Sequence, residues 1–470
     1  MQTTRRDFLK TAGQGIVAVP IATSILSSDN IVKSENSNSI SSDNFNIQSD
    51  LKLNVRDFGA TGDGNTRDTF SIQQALDRCW VLGGGEVIVP AGNYLTGAIA
   101  LRSNTFIRLE QDASLVGTPD FSDYPIMQVR WEGKWIPGHT ALIYAVDVEN
   151  TGITGPGKIL GNHALGGRPD KEYPLRHPAL IEPIGCKKLR FEDFSTDYYL
   201  MWSIHPTYCE NILFKNLTIR STGGNGDGID IDSCKHVLIE GCDISTGDDC
   251  IAIKSGRGME GYKLLNTTED VEIVDCTLAD SIFACIGIGS ETSGGIRNIR
   301  IKHCNFTAAR TFAIYIKSRT GRGAFIEGIS ADDLNVSGMQ AGFLRFNTLK
   351  SGLQDQDPVP GKEGIPALKN FTFTNVHVDS VPWLIDGSFI HPDKPLEGLI
   401  LDNITGTCSK GITLANIKQA DIKNINVTGY KDSLLGIYNV TGEGLKDAVP
   451  IEPPKVTEEI PYPDKPYHLR

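Results

Sequence analysis

Apolar and polar residues alternate in short segments that recur along the chain: KKLRFEDF, ENILFKNL, KHVLIEGC, EDVEIVDC, RNIRIKHC, KNFTFTNV and EGLILDNI. Each holds an apolar-x-apolar pair followed by Asn, Asp or Gly, residues that suit tight turns. The first apolar members, or anchors, are Leu189, Ile212, Val237, Val271, Ile299, Ile329, Phe371, Leu399 and Ile422. Their spacing is 23 and then 25 residues at the start and 23 at the end, stretched where loops such as 257–268 and 350–366 intrude. Period-two alternation marks strands, and a repeat of about 20–30 residues marks a solenoid. Strands this short cannot bury a face alone, whereas coils stacked about 4.8 Å apart build a continuous core. The pattern predicts an all-β chain folded as a right-handed parallel β-helix. Tandem β-sandwiches would give less regular, two-sided repeats.

Solenoid ends need covers. Residues 67–82 carry Phe70, Ile72, Ala75, Leu76 and Cys79 at helical spacing, and Gly83–Gly85 then end the helix. This predicts a helical cap at the N-terminal end of a single β-helical catalytic domain that runs over 51–445. Residues 446–470 hold six prolines and are expected to form an extended tail rather than another coil. Cys186, Cys209 and Cys234 share one phase of the repeat, and Cys242, Cys276 and Cys304 share another. Same-phase cysteines stack as small apolar side chains, which favours buried free thiols over a disulfide framework.

Composition narrows the function. Asp and Glu total 57 against 45 Lys and Arg, a formal net charge of −12, which disfavours nucleic acid as a partner. Residues 3–10 read TTRRDFLK, ahead of a modest apolar run from Ile16 to Leu26. Residues 1–26 thus resemble a twin-arginine export signal, with 27–50 as a solvated linker, and the mature chain is expected in the periplasm or outside the cell. No apolar run reaches the roughly 20 residues that span a bilayer.

Two carboxylate-rich segments stand out: NGDGID at 225–230 and GDD at 247–249. Asp227 and Asp249 are 22 residues apart, one coil, and His205 lies 22 residues before Asp227. Spacing alone therefore predicts a column His205, Asp227, Asp249 with Asp248 alongside. Like charges on adjacent rungs are costly, and a merely structural strand has little reason to collect them. Residues 248 and 249 would face opposite ways on a regular strand, so Gly247 is expected to permit a bend or bulge.

These segments, together with NVRDFGATGDGNTRDTFSIQQALDRC, GGGEVIVPAGNYLTG and WSIHPTYCENI, resemble the polygalacturonases of glycoside hydrolase family 28 over nearly all of the mature chain. The resemblance implies hydrolysis with inversion by three aspartates. The family's Asn-Thr-Asp matches Asn225-Gly226-Asp227, and its Gly-Asp-Asp matches Gly247-Asp248-Asp249. On that match Asp248 is the general acid, and Asp227 with Asp249 hold and deprotonate the attacking water. An inverting pair needs roughly 6.5–9.5 Å between carboxyl groups, which neighbouring rungs are expected to supply. Two positions depart from the family. Ala284 stands where its Gly-His-Gly histidine would be, and Tyr315-Ile316-Lys317 replaces Arg-Ile-Lys. Rhamnogalacturonan-cleaving relatives also lack that histidine, so the acid chemistry is retained while the sugar contacts differ.

Lys317, His205, Arg322 and Tyr315 are candidate substrate-binding residues. Lys254 reads as a rung-edge surface residue, and Trp131 and Trp135 as either sugar platforms or loop packing. No metal motif is present and no cofactor is implied. The expected partner is an acidic, uronic-acid-containing polysaccharide or oligosaccharide, pectic or of the rhamnogalacturonan type, and the chain is expected to be a monomer. Two rivals stay open: a calcium-assisted β-helical lyase with Lys317 as base, and a β-helix that binds glycan without cleaving it.

Overall fold

The computed structural model describes residues 49–167, 174–199 and 201–456. The export signal expected over 1–26, nearly all of the linker over 27–50 and the last part of the tail, 457–470, lie outside the described residues. What is described is a right-handed parallel β-helix. The eight anchors from Leu189 to Leu399 pair in unbroken succession, each beside the next on the following rung. All are buried, in one apolar column that runs through the molecule. Burying each large aliphatic side chain in such a column contributes about 1.5–3 kcal/mol.

The corners of the coils have a common chemistry. The residue before each anchor has positive φ: Lys188, Asn211, His236, Asp270, Asn298, Gly328, Asn370 and Gly398. So does the residue four after it: Asp193, Asn216, Gly241, Asp275, His303, Asp333, Asn375 and Asn403. Left-handed backbone costs most L-residues about 1–2 kcal/mol, and Asn, Asp and Gly least. The Asn, Asp and Gly that close the repeats are therefore the bends that turn one strand into the next. Corner side chains also bond between rungs, as in Asn216 to Asp193 at 3.0 Å and Asn298 to Asp270 at 3.1 Å.

A second ladder carries the chemistry. Its inward row runs Ile143, Ile181, Ile204, Ile229, Ile251, Ile286, Ile314, Leu344 and Ile385. One residue further on, the outward row runs Glu182, His205, Asp230, Ala252, Gly287, Tyr315, Arg345 and Asp386. Apolar residues stack inside while polar and ionisable ones meet outside on the same strands.

The predicted helix forms over Thr69–Val81 and buries Ile72, Ala75, Leu76 and Cys79 in the common core. Phe70, counted in its apolar stripe, instead stands 72 % exposed. Segment 257–268, expected to be a loop, contains a short helix, Gly258–Leu264. Val449–Pro450 still pair with Gly436–Ile437, so the proline-rich tail begins as a fragment of one more rung. All ten cysteines are buried and unpaired. The Cys186 amide donates to Cys209 Sγ and the Cys209 amide to Cys234 Sγ, both at 3.3 Å, as expected of a thiol column. Among the described residues, no helix is long and apolar enough to cross a membrane.

The corner rule gives a direct test at Asn298, exposed with φ of 57°. Asn298→Val should cost about 1–2 kcal/mol, while Asn298→Gly stays within a few tenths, measured by chemical denaturation.

Candidate active site

The site forms where two rungs begin. Asp227 precedes the strand Ile229–Asp232, and Asp248 with Asp249 precede Ile251–Lys254. Because 248 and 249 lie in the bend before their strand, alternation does not govern them. Both turn toward Asp227, and one oxygen of each of the three carboxylates lies within 4.8 Å of the other two. The nearest oxygens are thus closer than the carboxyl spacing expected for an inverting pair. Gly247 is required there by crowding rather than by φ, since a Cβ on it would meet the Gly223 carbonyl oxygen at 2.0 Å. Thr246 and Ser281 hydroxyls fix the bend by donating to the Asp248 carbonyl, each at 2.7 Å.

Asp249 is buried and both its oxygens accept hydrogen bonds: Oδ1 from the Ala284 amide at 3.1 Å, Oδ2 from Lys317 Nζ at 2.5 Å. Ala284 itself is buried and supplies only backbone at the family's histidine position. Gly287 makes room for the pair, because a Cβ there would meet Asp249 Oδ2 at 2.3 Å and Lys317 Nζ at 2.8 Å. Lys254 is a correction to the surface reading. It is buried, in contact with Asp230, 3.5 Å from Asp227 Oδ2, and 4.3 Å above the Trp202 ring. Its alternation with the inward Ile251 and Ile253 makes it outward-facing, but a wall of other residues covers that face.

Charge sets the proton inventory. Burial, then the charges of Asp227 and Asp249, push Asp248 up to about 8. Burial also raises Asp227, against the pull of Lys254, and raises Asp230 well above the usual carboxylate range, with Asp227 adding to the effect. Burial works against the charge of both lysines, yet Asp249 holds Lys317 above its ordinary value and Asp230 with Asp227 holds Lys254 well above. Two ammonium groups thus face four crowded carboxyls. Three oxygens this close would also suit a divalent cation, but the lysines already supply the positive charge a cation would bring.

The other sequence candidates lie elsewhere. His205 does not stack on Asp227. The bridges Ile204–Ile229 and Thr207–Asp232 set it beside Asp230, because residues 221–226 lengthen that coil to 25 residues. Trp202 takes the level of Asp227, and His205 is buried under it at 4.6 Å, with Nδ1 3.2 Å from Glu182 Oε1. Arg322 is fully buried and paired with Asp355, and it donates to the carbonyls of Ser290 and Leu353. It braces the loop that contributes Gly352 and Leu353 to the pocket, so its contacts are with protein and not with the opening. Tyr315 stacks on Phe283 at 5.5 Å and lies one rung beyond Gly287, outside the pocket lining.

The pocket is a cavity of about 170 Å³ lined by the three aspartates, Lys254, Lys317, Trp202, Asn225, Glu132, Arg257, Glu291 and neighbouring backbone. One wall is the hairpin Ile126–Trp131 and Lys134–His139, whose turn residues Glu132 and Gly133 both have positive φ, as two-residue hairpin turns favour. Arg130 ties the hairpin to Asp232 at 3.0 Å and Glu260 at 3.1 Å. Arg257 binds Glu132 at 3.1 Å and Asp355 at 2.9 Å. Trp131 packs on Trp202 and Trp135 on Tyr208, so loop packing uses both rings. Sequence reasoning did not find Glu132, Arg257 or Glu291. Of the three, only Arg257 lies in a segment that interrupts the repeat, and nothing in the spacing marked Glu132 or Glu291.

Comparison with known proteins bears on this geometry. The model of glycosyl hydrolases family 28 matches residues 79–382. A probable polygalacturonase of Vitis vinifera is 29 % identical over 76 % of this chain and 73 % of its own length. The solved exopolygalacturonase of Thermotoga maritima superposes with a TM-score of 0.70 at 26 % identity, covering 81 % of this chain and 92 % of that one. The family 28 exopolygalacturonase of Yersinia enterocolitica, at 21 % identity and a TM-score of 0.70, shares the fold over 86 % of this chain and 80 % of its own. A parallel β-helix with an aspartate cluster at its pocket, matched by the family model over well more than half its length, is a glycosidase of glycosyl hydrolases family 28.

Proposed function

We propose that this glycosidase removes uronic-acid units from the end of a pectic, polygalacturonate-type chain by inverting acid/base hydrolysis. The observation that carries the chemistry is the raised Asp248 carboxyl beside two further aspartates. Asp248, protonated up to about pH 8, gives its proton to the leaving glycosidic oxygen. Asp227 and Asp249 hold the water, and one of them takes its proton as the oxygen attacks the anomeric carbon. Lys317 and Lys254 offset the charge and receive the substrate carboxylate.

End-directed cleavage is supported by the hairpin. It lies over the rung of Trp202 and Tyr208, immediately before the aspartates, and leaves a cavity smaller than the roughly 300 Å³ of common ligand sites. The names of the Thermotoga and Yersinia proteins agree with this reading. A lyase needs a neutral base, and both lysines at the cluster are held protonated. A binding module has no use for a raised acid. Export through the twin-arginine route and a monomeric state complete the proposal. Arg5-Arg6 with the following apolar run supports export, and the net charge of −12 opposes self-association.

Four outcomes are expected. With calcium chelated, polygalacturonate should yield reducing ends without ultraviolet-absorbing unsaturated ends, and Asp248→Asn should lower turnover by about 10²–10⁴ while still binding oligomer. Unsaturated product would overturn hydrolysis. Chromatography of early digests should show monouronate from the first minutes rather than a ladder of sizes. The kcat/KM profile should fall tenfold per pH unit above about 8. A carboxyl raised in the folded state loses stability as pH rises from its ordinary range through 8, so Asp248→Asn should melt higher than the parent at pH 8, with the gap closing toward pH 4.

A further inference from the structure

The outward row does not stop at the pocket. After Gly287 it continues to Tyr315, Arg345 and Asp386 on successive rungs. Lys317 Nζ lies 4.6 Å from the Phe283 ring, Phe283 stacks on Tyr315, and Arg345 lies 5.6 Å over Tyr315, so pocket and row are continuous. The Arg345 guanidinium also faces Phe312 at 5.5 Å and Phe389 at 5.1 Å. Three rings hold it in place without using its donors. Its nearest carboxylate, Asp386 Oδ2, is 3.5 Å from Nε, and neither atom makes a hydrogen bond.

The contrast with the neighbouring cations is sharp. Arg130, Arg257, Arg322, Lys254 and Lys317 each contact a carboxylate closely. The Nη groups of Arg345 have no protein acceptor among the described residues, and its side chain is 26 % exposed. A guanidinium fixed by ring faces, half withdrawn from water and with a free edge, is arranged for a planar anion, since its fork matches a carboxylate. It stands two rungs, roughly 10 Å, beyond the level of Gly287 and the Asp249–Lys317 pair above it.

We propose that Arg345 is a substrate-binding residue that takes, through its Nη edge, the carboxylate of the uronic acid unit beyond the one at Lys317, on the side away from the hairpin. The guanidinium missing at position 315 is thereby supplied one rung later, with Tyr315 as part of its cradle. This rests on the reading of the substrate as an acidic glycan.

The test uses trigalacturonate and its methyl ester as probes, with the full chain and two variants, Arg345→Met, which keeps the stem among the rings, and Arg345→Lys, which keeps the charge. Arg345→Met should raise KM for the free acid by about 10- to 100-fold and erase the preference for acid over ester, and Arg345→Lys should restore part of both. Melting curves matching the parent show that the variants fold. Cleavage by the parent, with an unchanged KM and acid preference in Arg345→Met, would overturn the role of Arg345 alone. Failure of the parent to bind or cleave either probe would overturn the acidic-glycan reading and this role with it.

Discussion

Parallel strands stacked about 4.8 Å apart set each residue beside its counterpart on the coils before and after. Inside, this forces like apolar side chains into columns, from Leu189 to Leu399 on one face and from Ile143 to Ile385 on another. Outside, the same geometry brings ionisable groups to within a few ångströms across rungs. Asp227 and Asp249 meet for this reason and no other, each at the start of its strand, level with the other.

The crowding is tolerated because it is partly neutralised. Lys254 reaches back to the Asp227 and Asp230 rung, and Lys317 reaches back to Asp249. Glycine at 287 is what lets the second pair close, and the buried Ala284 leaves its amide free for Asp249. Burial, with the charges of Asp227 and Asp249 added to it, raises Asp248 as well, and there it keeps a proton available at neutral pH. The acid is thus a property of a buried charge set, with no single neighbour responsible.

Much of this was legible in the chain. The anchors follow from period-two alternation repeated at coil length, and the aspartates from two acidic segments one coil apart. What failed did so for identifiable reasons. Equal spacing aligned His205 with Asp227, but coils differ in corner length and the true interval there is 25 residues. Lys254 was read as an edge residue because a strand pattern shows which side faces out and not what covers it; the Trp202 ring that lies over it comes from two coils earlier. Arg322 has the look of a pocket cation, yet its acceptor, Asp355, sits in a loop without repeat character, where pattern carries no information.

The left-handed corners described above have a bearing on how such a molecule diversifies. Each corner is completed by its own residue, so a coil needs only to leave and rejoin the stack at fixed points. Chain inserted between those points costs loop closure that grows slowly, about 0.6 kcal/mol for each doubling of length. The excursions over 257–268 and 350–366 are of this kind, rejoining the ladder in register at Val271 and Phe371. A lineage can therefore lengthen or trim the rim of the groove, and with it the length of glycan admitted, without renegotiating the core.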